Sequence, residues 1–220
     1  MNDLNCLSRL SSPVDVLKSV KFKRDFRKEH PEYFDPDGIM VFCGPQGAGK
    51  TLSAVSYVLE LARAYPEAII CSNVDLHGFP GADRICRYSS IDDLVSISNG
   101  YAGVIYLIDE IHILFNSLES KNIDFSVMQE ICQQRKQRKH IVGTAQVFQR
   151  LAKPFREQFK YAVLCRCLGG FLQMNTLIEG AKAVEGPDGR IKCDTVKRYF
   201  WFHSPDLYTA YDTFAKIERG

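Results

Sequence analysis

The run Gly44-Pro-Gln-Gly-Ala-Gly49-Lys50-Thr51 constrains this chain more than any other feature. It fits GxxxxGK[ST] at every fixed position. It also stands between an apolar stretch, Gly38–Cys43, and a stretch of helical spacing from Lys50 to Ala64 (Leu52, Val55, Val58, Leu59, Ala62) that Pro66 closes. Glycines at 44, 47 and 49 let main-chain amides turn inward without a Cβ clash, which makes a nest of N–H donors. The helix that starts at Lys50 aims the positive end of its dipole at the same place. Such a cradle fits the phosphates of ATP, with Pro45, Gln46, Ala48 and Leu52 completing the loop and the first turn. Lys50 is placed to reach the β- and γ-phosphates, and the Thr51 hydroxyl to ligate Mg²⁺. A bare glycine turn is the plain alternative, and the correct flanks on both sides weigh against it.

The rest of the chain repeats the same alternation. Ala68–Ser72, Arg84–Tyr88, Val104–Ile108, His140–Ala145 and Tyr161–Cys167 read as strands. Ser90–Asp93 reads as a capped helix start, and Phe125–Arg138 and Gln149–Gln158 as helices. Strands alternating with helices predict an α/β fold with a mostly parallel central sheet covered by helices. After Gly169 the pattern turns two-periodic. Phe171–Ile178 and Ile191–Phe202, on either side of Gly186-Pro-Asp-Gly189, predict a C-terminal β-hairpin appended to the sheet. The organisation expected is a helical N-terminal extension over 1–37, a core over 38–168, and a hairpin and tail over 169–220.

At 220 residues, 45% hydrophobic and 25% charged, the chain can bury a real core and is neither disordered nor a coiled coil. No apolar run approaches the ~18–20 residues of a membrane span, and the start Met1-Asn2-Asp3-Leu4 lacks the layout of a signal peptide. A cytoplasmic protein is expected. The eight cysteines include no CxxC pair, and several sit inside apolar runs, so they read as buried reduced thiols; Cys165-Arg166-Cys167 reads as packing, not a metal pair.

Val104-Ile-Tyr-Leu-Ile108 runs directly into Asp109 and Glu110. Carboxylates at the tip of a buried strand open into the crevice where open α/β sheets bind ligands. There Asp109 would complete the metal site, and Glu110 would polarise a water for attack on the γ-phosphate. Two solvated acids would be the better reading if the phosphate loop were absent. Thr144-Ala145-Gln146 ends the next strand, where the Gln146 amide can hydrogen-bond the attacking water or the γ-phosphate. Arg135 is the candidate to enter a neighbouring subunit's site and stabilise the transferred phosphoryl group, with Arg138 as its competitor.

Residues 135–160 hold eight Lys or Arg against Glu157 alone, a net +7 within a chain of net +2. That segregation predicts contact with a polyanion through its phosphates, without sequence readout. A solvated helix face has nearly equal standing. The cluster Lys18–Lys28 carries no assignment beyond a solvated face.

Gly44–Thr51, Leu107-Ile-Asp-Glu-Ile-His112, Gln134-Arg135 and Thr144-Ala-Gln146 together resemble the FtsK–HerA group of P-loop ATPases. Within it they are most similar to the Zot-like phage assembly proteins and the small viral DNA-packaging ATPases, as is the Asp-Glu-x-His-x-x-Phe run from Asp109 to Phe115. The resemblance spans about residues 38–168. It implies a RecA-like ASCE P-loop NTPase with the acidic strand adjacent to the phosphate-loop strand. It also implies a homo-oligomeric ring with Arg135 acting in trans and DNA threading the centre. Zot-like proteins usually carry a membrane span after the ATPase domain, and the lack of one here leans towards the compact packaging ATPases, with recruitment to a phage or membrane assembly complex still open. The function expected is an Mg-ATP-hydrolysing motor that moves DNA. The alternatives are a small-molecule phosphotransferase and a nucleotide-gated assembly factor that is not a motor.

Overall fold

The computed structural model describes residues 13–30, 32–35, 38–113, 129, 131–148, 151, 153–185 and 191–212. The apolar runs form strands because both of their faces are covered. Strand β1 (Ile39–Cys43), β4 (Val104–Ile108) and β5 (Lys139–Ala145) are buried at every residue, as expected for parallel strands under two helical or loop layers. With β2 (Ile69–Ser72), β3 (Ile85–Arg87) and β6 (Phe159–Leu168) they pair in parallel. Strands β7 (Leu172–Glu179) and β10 (Thr195–Phe202) add antiparallel at one edge, giving an eight-stranded sheet of order β10-β7-β6-β1-β5-β4-β2-β3. The expected hairpin is therefore a continuation of the central sheet. Between its arms, β8 (Val184–Glu185) and β9 (Ile191–Lys192) make a separate two-residue pair, and the turn foreseen at 186–189 lies outside the described residues.

Helix α1 (Pro13–Glu29) lies within the N-terminal segment, and α2 (Lys50–Ala64) follows the phosphate loop. Of the helix expected over 125–138, residues 125–128 and 130 lie outside the described residues; 129 and 131–133 are helical, and 134–138 form a turn leading into β5 instead of continuing the helix. The helix expected over 149–158 is a single turn, Lys153–Arg156, with 149, 150 and 152 also outside.

Two apolar layers sandwich the sheet. On one face α2 sets Leu52, Val55, Val58 and Ala62 against Met40, Phe42, Ile105, Leu107 and Val142. On the other, Val41, Tyr106, Ile108 and Ile141 meet Ile111, Phe148, Leu151 and Phe155. Each such side chain contributes about 1.5–3 kcal/mol on burial. Exposed ion pairs such as Arg63–Glu60 and Arg84–Glu67 contribute about 0–1 kcal/mol, so apolar packing decides the fold. Among the described residues no helix is long and apolar enough to cross a membrane.

The topology corrects one expectation. The acidic strand β4 is not adjacent to β1: β5 lies between them, hydrogen-bonded to both. Neighbouring strands are about 4.8 Å apart, so the tips of β1 and β4 stand roughly 10 Å apart. That gap is the width of the crevice, and β5 supplies its floor.

The basic segment is also divided by the fold. Arg138 is spent on the segment that precedes β1. Its guanidinium carbon sits 3.5 Å from the Tyr33 ring centroid, its Nη1 donates to the Phe34 carbonyl, and Tyr33 stacks on Tyr101. Phe34 is buried against Tyr65 and Gly103. Lys139, 2% exposed, donates its ammonium to the Leu94 carbonyl at 2.7 Å. Arg135, Lys136 and Lys160 are exposed. Replacing Arg138 by Met should remove the ring contact and the carbonyl bond together, costing about 2 kcal/mol. In a thermal unfolding scan the midpoint should fall by about 4–8 °C; an unchanged midpoint would mean that the clamp holds nothing.

Candidate functional site

The phosphate loop springs from the buried end of β1, anchored where the Gly44 N–H donates to the Ala145 carbonyl at 3.3 Å. Gly47 has φ +77° and open space where a Cβ would lie, so backbone conformation alone demands glycine there. Gly49 (φ +75°) caps α2, whose first turn carries no acidic residue and no side-chain cap. The positive end of the helix dipole is therefore left for an external anion. Lys50 Nζ lies across the loop, donating to the Pro45 carbonyl at 3.0 Å. Pro45 and Gln46 are exposed on the rim and Ala48 is buried. Leu52 is buried in the core, so only its backbone faces the loop.

Opposite the loop, Asp109 and Glu110 leave β4 in different directions. Asp109 Oδ1 accepts the Thr51 hydroxyl at 3.0 Å and also the Thr144 hydroxyl from β5. The Asp109 backbone is gripped by Asn73 at the tip of β2, whose Oδ1 accepts Asp109 N–H at 2.8 Å and whose Nδ2 donates to the Asp109 carbonyl at 3.1 Å. Glu110 takes the left-handed φ +53° and donates its N–H to Thr144 Oγ1 at 2.9 Å. Its carboxylate lies 3.5 Å from Gln146 Nε2. Thr144 thus ties both acids to one buried hydroxyl.

The structure brings together Lys50, Thr51, Asp109, Glu110 and Gln146. It does not bring Arg135, which precedes β5 and so sits at the opposite end of that strand from Gln146, roughly 20 Å along it at about 3.3 Å per residue. Arg138 sits at that end too and is engaged with Tyr33. Asn73 and the Thr144 hydroxyl were missed as partners of the acids. The signal for both was present, because each is a polar residue at the C-terminal tip of a buried strand, as Asp109 is.

A hydroxyl and a single carboxylate, hard oxygen donors 3.0 Å apart, suit Mg²⁺, which keeps several waters and takes its remaining ligands from phosphate. Among the described residues no three His, Cys, Asp or Glu gather as an alternative metal centre. Burial pushes the Cys165 thiol, beside the loop, up to about 12. Cys165 is therefore a neutral packing group, in line with its reading as packing, whereas Cys167 is only half-buried.

A mostly parallel sheet carrying the phosphate loop on β1, and two acids on a strand one position removed, defines the RecA-like P-loop NTPase fold of the ASCE kind. The sequence matches no protein-family model and no curated protein. Among solved structures, the chain is similar to the N-terminal domain of zonular occludens toxin from Neisseria meningitidis, with TM-score 0.57 and 15% identity over 80% of this chain and 98% of that one. It also matches the genome packaging NTPase B204 from Sulfolobus turreted icosahedral virus 2 in complex with ATP-gammaS, with TM-score 0.49 and 14% identity over 72% of this chain and 96% of that one.

Thr144→Val keeps the volume of the side chain but removes the shared hydroxyl, leaving the Glu110 N–H without its acceptor. Urea unfolding should show a loss of about 1–3 kcal/mol, largely restored by Thr144→Ser. Equal stability of the Val variant and the wild type would show that the bridge is unimportant.

Proposed function

We propose that this chain is an Mg²⁺-dependent ATP hydrolase whose turnover moves DNA, in phage or virus assembly or in the transfer of a mobile element, and that it works as a homo-oligomeric ring. The observation that carries the hydrolase reading is the division of labour between the two acids. Asp109 is held by Thr51 and Thr144 as a fixed metal-side carboxylate, while Glu110 is turned the other way beside Gln146. Lys50 and the loop amides bind and orient the β- and γ-phosphates. Bound Mg²⁺ would neutralise charge building on those oxygens. Glu110 accepts a proton from the attacking water, and the Gln146 amide orients that carboxylate and registers the γ-phosphate. A water-activating acid with its own orienting amide favours hydrolysis over transfer to a metabolite.

Two features support the motor reading. Arg135 stands at the far end of β5 from its own chain's loop, so it reaches a phosphoryl group only across a subunit boundary. Among the described residues, Arg135 and Lys136 are exposed where a polyanion could meet them, once Arg138 and Lys139 are discounted. Recruitment to a phage or membrane assembly complex belongs to the same reading.

Glu110→Gln should bind ATP as the wild type does while turnover falls at least about 100-fold, measured by phosphate release beside nucleotide titration. For the motor, ATPase rate with and without DNA, together with solution mass in a nucleotide analogue, should show stimulation and a ring. A monomer indifferent to DNA would contradict it.

A further inference from the structure

Among the described residues, Gln173, Asn175 and Ser53 form a cluster of buried polar side chains that touches the phosphate loop. Gln173 on β7 is fully buried. Its Nε2 donates to the Ala48 carbonyl at 3.0 Å and to Asn175 Oδ1 at 2.9 Å, which uses both of its hydrogens. Its Oε1 lies 3.2 Å from His203 Nε2, at the end of β10. Because Oε1 can only accept, the ring presents Nε2–H to it. Burial keeps the His203 pKa below its ordinary value, consistent with a neutral ring. The other ring nitrogen lies 2.6 Å from the Tyr208 hydroxyl. Asn175, 2% exposed, continues the network to Ser53 on the first turns of α2, at 3.2 Å, and to the Tyr199 hydroxyl. A Cβ on Gly49 would fall 2.2 Å from Gln173 Oε1, so this amide also helps to require glycine there.

We infer that Gln173 is a positioning residue for phosphate binding: it fixes the Ala48–Gly49 peptide plane so that the Gly49 N–H faces the phosphate. The inference rests on the reading of the loop as a triphosphate site. In a planar trans peptide the C=O and N–H point in opposite directions. Gln173 draws the Ala48 carbonyl towards β7. The sheet order puts β7 on one side of β1 and the acidic strand β4 on the other. The Gly49 amide is therefore turned towards the crevice where Asp109 and Glu110 stand. Left-handed glycines on either side of Ala48 would otherwise let this plane flip at little cost. The hairpin is thus part of the phosphate site, in addition to any surface it offers.

The test uses inorganic pyrophosphate and ATPγS as probes, with amide NMR on the full chain. Gln173→Glu is nearly isosteric but sets acceptors against the Ala48 carbonyl and Asn175 Oδ1, and Gln173→Leu removes the donor. Both should raise the Kd for pyrophosphate about tenfold and leave the Gly49 amide resonance unmoved by it. In the wild type that resonance and the Gln173 side-chain amide should shift together. Variants that stay folded and bind like the wild type would overturn the inference and leave the hydrolase reading intact. A wild type that binds neither probe would overturn both. If substitution at 173 prevents folding, the wild-type spectrum decides, and a Gly49 shift without any Gln173 shift counts against the inference.

Discussion

The site depends on a single tie across the sheet: the first turn of α2 is bonded to the tip of β4 through Thr51 and Asp109, over the top of β5. A hydroxyl bound to a carboxylate is a charge-assisted contact, worth about 1.5–3 kcal/mol when sheltered from water. It fixes the first turn of α2 relative to the acids, in addition to the Gly44–Ala145 backbone bond that anchors the start of the loop on β5. The interposed strand sets the width of the crevice at roughly two strand spacings. Its own tip residues, Thr144 and Gln146, then serve the two acids separately. Had β1 and β4 been neighbours, Thr144 and Gln146 would have had no place between the loop and the carboxylates.

Much of this was legible in the sequence, because the signals are local. Glycines at fixed spacing between an apolar run and a helical run specify the loop. Five apolar residues ending in Asp109-Glu110 specify a buried strand with its acids at the open end. The strand order was not legible, since which strand enters between two others is decided by long-range packing that leaves no mark on either one. Asn73 and Thr144 were missed for a related reason. Each is a small polar residue after an apolar run, and its importance comes from the neighbour it acquires only when β2, β4 and β5 align. The alternation of Gln173 and Asn175 along a two-periodic strand was visible, but nothing in the chain announces that their face meets Ala48 and Ser53.

The basic segment shows the opposite difficulty. Residue type alone made 135–160 look like one positive surface. The fold spends Arg138 on an aromatic clamp that fastens Tyr33 and Phe34 beneath the sheet, and Lys139 on capping the carbonyls of the turn at Leu94. A cation on a strand or turn has two uses, satisfying buried carbonyls or facing solvent, and composition does not separate them. Among the described residues, the exposed cations Arg135 and Lys136 precede β5 and so sit at the end of the sheet away from the phosphate loop.

The central claim is that a triphosphate lies in the amide nest of residues 44–51 with a metal ion between Thr51 and Asp109. Electron–nuclear double resonance on the chain loaded with Mn²⁺ and ATPγS tests it directly, because the metal reports every phosphorus within reach. The account predicts phosphorus couplings from the β- and γ-phosphates that disappear in Thr51→Val and Asp109→Asn. Couplings that survive both substitutions would place the metal and its nucleotide elsewhere and contradict the account.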